Sequence, residues 1–172
     1  MSTVPITKIL FLDVDGVLNR WRGRQSLTPP LKDNWMPWYI ELNLVELINS
    51  ALSQAPDVRI VVSSTWRLHV KDADEFSQRT RVRRDLIHKD WTTDRDLKFN
   101  DLRKDEIEAW LKEHPEVTHF AVLDDLDMGF TGAVHVKTDE TVGLTYDDLR
   151  RVLGILRYRL KDRVVVIPMK EK

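Results

Sequence analysis

The run Lys8-Ile-Leu-Phe-Leu-Asp-Val14, closed by Gly16, is almost continuously apolar. A strand with one wet face alternates apolar and polar residues. A run like this must instead be buried on both faces, so it needs a layer of structure above and below it. Val58-Arg-Ile-Val-Val62 and Val117–Leu123 read the same way. Helical spacing fills the intervals. Trp38–Leu52 carries Leu44, Leu47, Ile48 and Leu52, and Lys104–His114 is stopped by Pro115. Thr145–Leu160 opens on Thr145 with Asp148 three residues later, a capping-box-like pair. The charged stretch Lys71–Arg84 reads as a solvated helix. Ala133–Lys137 reads as a fourth strand, Val164–Ile167 as a last edge strand, and Arg20–Pro37 and Trp91–Asp101 as loops. Strands alternating with helices predict a Rossmann-like, doubly wound α/β fold with a parallel sheet. At 172 residues the chain is expected to form one domain.

Composition removes several function classes. There are 27 Lys+Arg against 28 Asp+Glu, so a basic nucleic-acid coat over the whole chain is excluded. Cysteine is absent, which excludes disulfides, thiolate metal sites and a cysteine nucleophile. No apolar run is long enough for a bilayer span, and Met1–Thr7 has no basic residue to open a signal peptide. The expected compartment is therefore the cytosol, with no membrane partner. The oligomeric state is left open.

In open α/β sheets, ligands bind outside the carboxyl ends of the strands. Here those ends carry Asp13-Val-Asp15, Ser63 and Asp124-Asp125. Clustered carboxylates repel one another unless a cation sits among them, and an all-oxygen donor set favours a hard ion such as Mg2+. Such an ion, a free carboxylate and a hydroxyl donor suit phosphoryl transfer, since carboxylates are established nucleophiles for phosphoryl groups. Simpler readings exist for each segment alone. Asp-x-Asp-Gly favours turns, Asp124-Asp125 and Ser63 suit caps, and Lys104 suits a solvated first turn. A calcium loop starting at Asp13 fails on spacing, because Val17 and Arg24 stand where ligands are required.

Together the segments resemble the haloacid dehalogenase (HAD) superfamily of phosphotransferases. Phe11-Leu-Asp13-Val-Asp15-Gly16-Val-Leu-Asn19 resembles its first motif and Val61-Val-Ser63 its second. Lys104 resembles the third-motif lysine, with Lys98 as an alternative, and Ala121-Val-Leu-Asp124-Asp125 resembles the fourth motif. Within the superfamily the chain is similar to HAD-type domains of RNA-repair proteins and to the phosphatase domain of polynucleotide kinase-phosphatases. The features are Asp15-Gly-Val-Leu-Asn19, Ser63-Ser-Thr-Trp66-Arg67, Arg103-Lys104-Asp105-Glu106-Ile107 and Gly143-Leu-Thr145. The resemblance implies a Mg2+-dependent phosphomonoester hydrolase working through an aspartyl-phosphate. Asp13 would be the nucleophile, Asp15 the general acid and then base, Ser63 a donor to a transferring oxygen, and Lys104 the cation between the acids and the phosphoryl group. It further implies Mg2+ held by Asp13, the Asp15 carbonyl and Asp124, with Asp125, while Asp127 stays a competing ligand. The backbone N–H groups of Asp15 and Gly16 would hold phosphoryl oxygens. Substrate contacts would come from Gly16, Ser64, Arg67 and Arg20.

The superfamily often carries a cap domain after the first or second motif. Both intervals here are short of an independent sheet, so a minimal cap or none is expected, and an open site. Arg20, Trp21, Arg22 and Arg24 follow the first motif, and Trp66 and Arg67 follow the second. Arginine fits phosphate oxygens and tryptophan faces stack on bases. The expected partner is a phosphorylated substrate, either a polynucleotide 3′-phosphate end or a nucleotide or small metabolite. A non-catalytic phosphate- or partner-binding module is the alternative of another class. Arg79, Arg81, Arg83 and Arg84 lie among acids and read as a solvated face, and His135 reads as structural.

Overall fold

The first strand sorts its side chains by parity. In a computed structural model of the chain, which describes residues 7–20, 39–93, 103–130 and 133–157, β1 spans Thr7–Leu12. Leu10 and Leu12 enter one apolar cluster, while Ile9 and Phe11 enter another on the opposite face. All four are fully buried. That is the two-sided burial which the continuous apolar run requires.

The other elements build the two layers. Helix α1 (Leu42–Leu52), strand β2 (Val58–Val62), helix α2 (Ala73–Thr80), strand β3 (Ile87–Thr92), helix α3 (Arg103–Glu113), strand β4 (Val117–Asp124), strand β5 (His135–Lys137) and helix α4 (Tyr146–Ile155) follow in chain order. The five strands form one sheet in the order β3-β2-β1-β4-β5, and every pair is parallel. This is the Rossmann-like α/β arrangement expected. Helices α1, α2 and α4 supply the cluster around Leu10 and Leu12. Helix α3 faces Phe11, Val61 and Val122 with Ile107 and Trp110, and Phe11 meets Trp110 edge-on at 5.5 Å. Burying Ile107 alone stabilises the docking by roughly 1.5–3 kcal/mol.

Several boundaries differ from the sequence reading. Residues 87–92, of which Trp91 and Thr92 were expected to lie in a loop, form edge strand β3. An edge strand pairs on one side only, so its sequence need not be continuously apolar, and Lys89 and Asp90 are exposed. The described residues after Ser64 thus contribute strand β3 to the core sheet. The last helix starts where expected. Thr145 Oγ1 accepts from the Asp148 N–H, and the Asp148 carboxylate accepts from the Thr145 N–H, completing the capping box. The expected strand Val164–Ile167 lies outside the described residues, as do Trp21, Arg22, Arg24 and Lys98. Among the described residues no helix is long and apolar enough to cross a membrane.

Candidate active site

The sheet register lines up one rim. Leu12 pairs with Val62 on one side and with Leu123 on the other. The next residue on each of these three central strands is therefore Ser63, Asp13 and Asp124. The backbone continues the ladder one step further: Ser63 N–H donates to the Leu12 carbonyl and Asp13 N–H to the Leu123 carbonyl, both at 3.0 Å. Asp13, Ser63 and Asp124 are all buried. Carboxylate oxygens of Asp13, Asp124 and Asp125 lie within 4.8 Å of one another.

Parity then selects the cation. Asp13 follows Ile9 and Phe11 at the two-residue period of a strand, which directs it toward α3. Arg103 is the first residue of α3, and Arg103, Glu106, Ile107 and Trp110 form an i, i+3, i+4, i+7 stripe on its sheet-facing side. Arg103 Nη1 lies 3.1 Å from Asp13 Oδ2 and also pairs with Asp124 Oδ2. Burial works against the guanidinium's charge, but the two carboxylates outweigh it and hold Arg103 protonated. Lys104, one residue on, points elsewhere. Its Nζ donates to the Gly129 carbonyl at 3.2 Å and sits 5.5 Å from the Phe130 ring centroid. The expected place of Lys104 between the acids is thus corrected: Arg103 takes that place. The helical stripe is the sequence signal that would have found it.

One guanidinium shared between two buried carboxylates leaves charge uncompensated. Burial, then the Asp13 carboxylate, push Asp124 well above the ordinary carboxylate range, against the pull of Arg103. The same two causes, in the same order, push Asp125 up to about 6. The donor set is all oxygen and short of positive charge, which fits a hard divalent cation held by Asp13, Asp124 and Asp125. Asp127 is exposed, and its Oδ1 accepts from the Gly129 N–H at 3.1 Å; it is not in the cluster.

The loop after β1 is held by its own side chains. Gly16 has φ +75°, a conformation that glycine adopts without strain. A Cβ there would lie 2.6 Å from the Asp125 carboxyl, so the missing side chain also makes room for that acid. The Gly16 N–H donates to Asn19 Oδ1 at 3.0 Å. The N–H expected at a phosphoryl oxygen is therefore taken up within the loop here. Asn19 Nδ2 donates to Asp15 Oδ1 at 2.9 Å, and Trp66 Nε1 donates to Asp15 Oδ2 at 3.1 Å. Both oxygens of the Asp15 carboxylate are thereby oriented. Asn19 and Trp66 were not expected to do this.

Four other residues expected at the substrate are engaged within the protein. Trp66 is 1 % exposed and offers no face for stacking a base. Arg67 is 3 % exposed; it donates to the Ser63 and Ser64 carbonyls and pairs with Glu106 at 2.8 Å, so it braces the rim from inside. Ser64 is fully buried and caps the following turn by accepting from the Trp66 N–H. Arg20 is half-exposed and grips Glu41 through Nε and Nη2. The Ser63 hydroxyl, fully buried, has no hydrogen-bond partner among the described residues. His135 opens β5, half-buried.

A family model described as the HAD domain in Swiss Army Knife RNA repair proteins matches residues 9–149. That span runs from β1 into α4 and contains every residue of the rim. Comparison with curated proteins finds no match, and comparison with solved structures finds none.

Proposed function

This chain belongs to the HAD domain family of Swiss Army Knife RNA repair proteins, a membership that implies a phosphatase-type hydrolase, and we propose that it removes phosphate from phosphomonoesters, with polynucleotide 3′-phosphate ends as the substrate class. The single observation that carries this reading is the convergence of Asp13, Asp124, Asp125 and Ser63 on one rim beneath Arg103. The cytosolic setting and the single-domain organisation are part of the same proposal.

In this reading Asp13 attacks phosphorus, forming an aspartyl-phosphate as the bond to the leaving oxygen breaks. Asp15, oriented by Asn19 and Trp66, gives its proton to that oxygen and then takes one from the water that hydrolyses the acyl-phosphate. The Ser63 hydroxyl has no partner among the described residues and donates to a transferring oxygen. Arg103 supplies fixed positive charge beside Asp13. Asp13, Asp124 and Asp125, with the Asp15 carbonyl, would hold Mg2+, which when bound offsets charge on the phosphoryl oxygens. The polynucleotide end is supported by the RNA-repair context of the family and by the interval after Ser64, whose described residues add a core strand.

The test is phosphate release from a 3′-phosphorylated oligonucleotide, a free nucleotide and an aryl phosphate, with Mg2+ and with chelator. Metal-dependent release, fastest on the oligonucleotide and lost in both Asp13→Asn and Asp13→Ala, is expected. Activity that survives both substitutions removes Asp13 as nucleophile. Equal rates on all three compounds remove the polynucleotide assignment and leave a general phosphatase.

A further inference from the structure

At the opposite end of α3 from Arg103, a second set of ligand atoms converges. His88 and Asp90 come from edge strand β3, and His114 follows the last residue of α3. One ring nitrogen from each histidine and a carboxylate oxygen of Asp90 lie within 4.8 Å of one another. We propose that His88, Asp90 and His114 form a second metal site, for a borderline divalent transition ion such as zinc.

The donor chemistry separates this cluster from the rim of carboxylates. Imidazole nitrogens suit zinc and its neighbours, whereas Mg2+ takes oxygen ligands. Two histidines and a carboxylate make a three-residue set that leaves one position of a tetrahedral ion for water.

The rings are already oriented. His114 Nδ1 lies 2.8 Å from the Trp110 carbonyl and is its natural donor, which leaves Nε2 as the nitrogen facing Asp90, 3.1 Å from Oδ2. A carbonyl partner on the far nitrogen is how metal-bound imidazoles are usually fixed. The His114 ring stacks on Trp110 at 3.6 Å, and His88 packs edge-on against both rings. His88 is further held by its Nδ1 against the Asp90 backbone.

Access is provided from outside. Asp90 is exposed, and Asp90, Trp110, Glu113 and His114 border a groove of about 600 Å3 between β3 and α3. His114 Nε2 and Asp90 Oδ2 face each other, and an ion bound there would take one lone pair from each, releasing to solvent any proton held between them. The site would then clip the edge strand to the helix whose other end carries Arg103.

The test is zinc titration of the full chain in excess Mg2+, which occupies the carboxylate rim. Nitrogen-resolved NMR of the five histidines reads it out. We expect one ion per chain, with imidazole nitrogen shifts at His88 and His114 and none at His69, His119 or His135. Asp90→Asn and His114→Gln should each weaken binding at least 30-fold while leaving the metal-free unfolding temperature within a few degrees. Asp125→Asn should leave zinc affinity unchanged. Unchanged affinity in either Asp90→Asn or His114→Gln overturns the site. So does zinc that shifts neither ring, or binding that is lost in Asp125→Asn. None of these readouts depends on phosphatase turnover.

Discussion

Replacing Ser63 by alanine should make the metal-free protein more stable and the enzyme worse. The Ser63 hydroxyl is fully buried and has no hydrogen-bond partner among the described residues. A buried polar group left unpaired costs about 1–3 kcal/mol in desolvation. Ser63→Ala removes the group and leaves the Cβ in place. At about 24 cal/mol per Å3, a hydroxyl-sized void of roughly 15 Å3 returns only ~0.4 kcal/mol of that gain. The net gain is then about 1–2 kcal/mol. For a domain of this size that raises Tm by about 2–8 °C. Catalysis should move the other way, because loss of a donor aimed at a transferring oxygen typically lowers kcat by about 10²–10³. The assays are thermal unfolding in chelator and steady-state phosphate release on the same preparations. A variant less stable than the parent would show that the hydroxyl is satisfied in solution. A variant that turns over at the parental rate would show that the hydroxyl never touches the substrate.

Gly16→Ala should destabilise by about 1–2 kcal/mol from its left-handed backbone alone, and it should weaken Mg2+ binding because its Cβ displaces Asp125; urea unfolding and calorimetric Mg2+ titration check the two effects. Arg103→Met leaves Asp13 and Asp124 buried without their cation and should cost about 3–5 kcal/mol in the metal-free protein. Lys104→Ala should stay within about 0.5 kcal/mol and keep kcat, so denaturant unfolding and turnover of the pair decide which cation serves the rim. Asp125 titrates at about 6 in the fold, above its ordinary value, so its contribution is fully present below about pH 4 and is lost as pH rises through about 6. The unfolding temperature in chelator should therefore fall across that window, and added Mg2+ should remove the fall. Trp66→Phe keeps the buried ring but loses the N–H to Asp15; kcat should drop and the pH profile shift with KM unchanged, whereas a base-stacking role would raise KM for the oligonucleotide alone.

The central strands and the acids that close them were legible because a two-sided buried strand leaves little choice of composition. Ile9 to Leu12, Ile60 to Val62 and Ala121 to Leu123 must be apolar, so the first polar residue after each marks the rim. Strand β3 was not legible for the complementary reason. At the sheet edge Lys89 and Asp90 face water, and Ile87-His-Lys-Asp-Trp-Thr resembles an exposed loop. Residue type alone misplaces Arg67 and Trp66. Arg67 and Trp66 have the chemistry of a nucleic-acid surface, but both are buried, with Arg67 neutralised against Glu106 and Trp66 spent on Asp15. Lysine type likewise drew attention to Lys104, while helix phase, which was present in the sequence, points to Arg103.

That phase relation ties the chemistry to the core. Phe11, Val61 and Val122 hold α3 by packing on Ile107 and Trp110, and the same strand parity carried two residues further delivers Asp13, Ser63 and Asp124 beneath the first turn of that helix. A slip of one residue in β1 against β2 or β4 would exchange the faces of Phe11 and Leu12, and it would also turn Asp13 away from Arg103. The apolar cluster under α3 is thus what fixes the distance between Asp13 and Arg103. Substitutions there, such as shortening Phe11 or Trp110, act on catalysis through the position of Arg103 even though neither ring comes near a substrate.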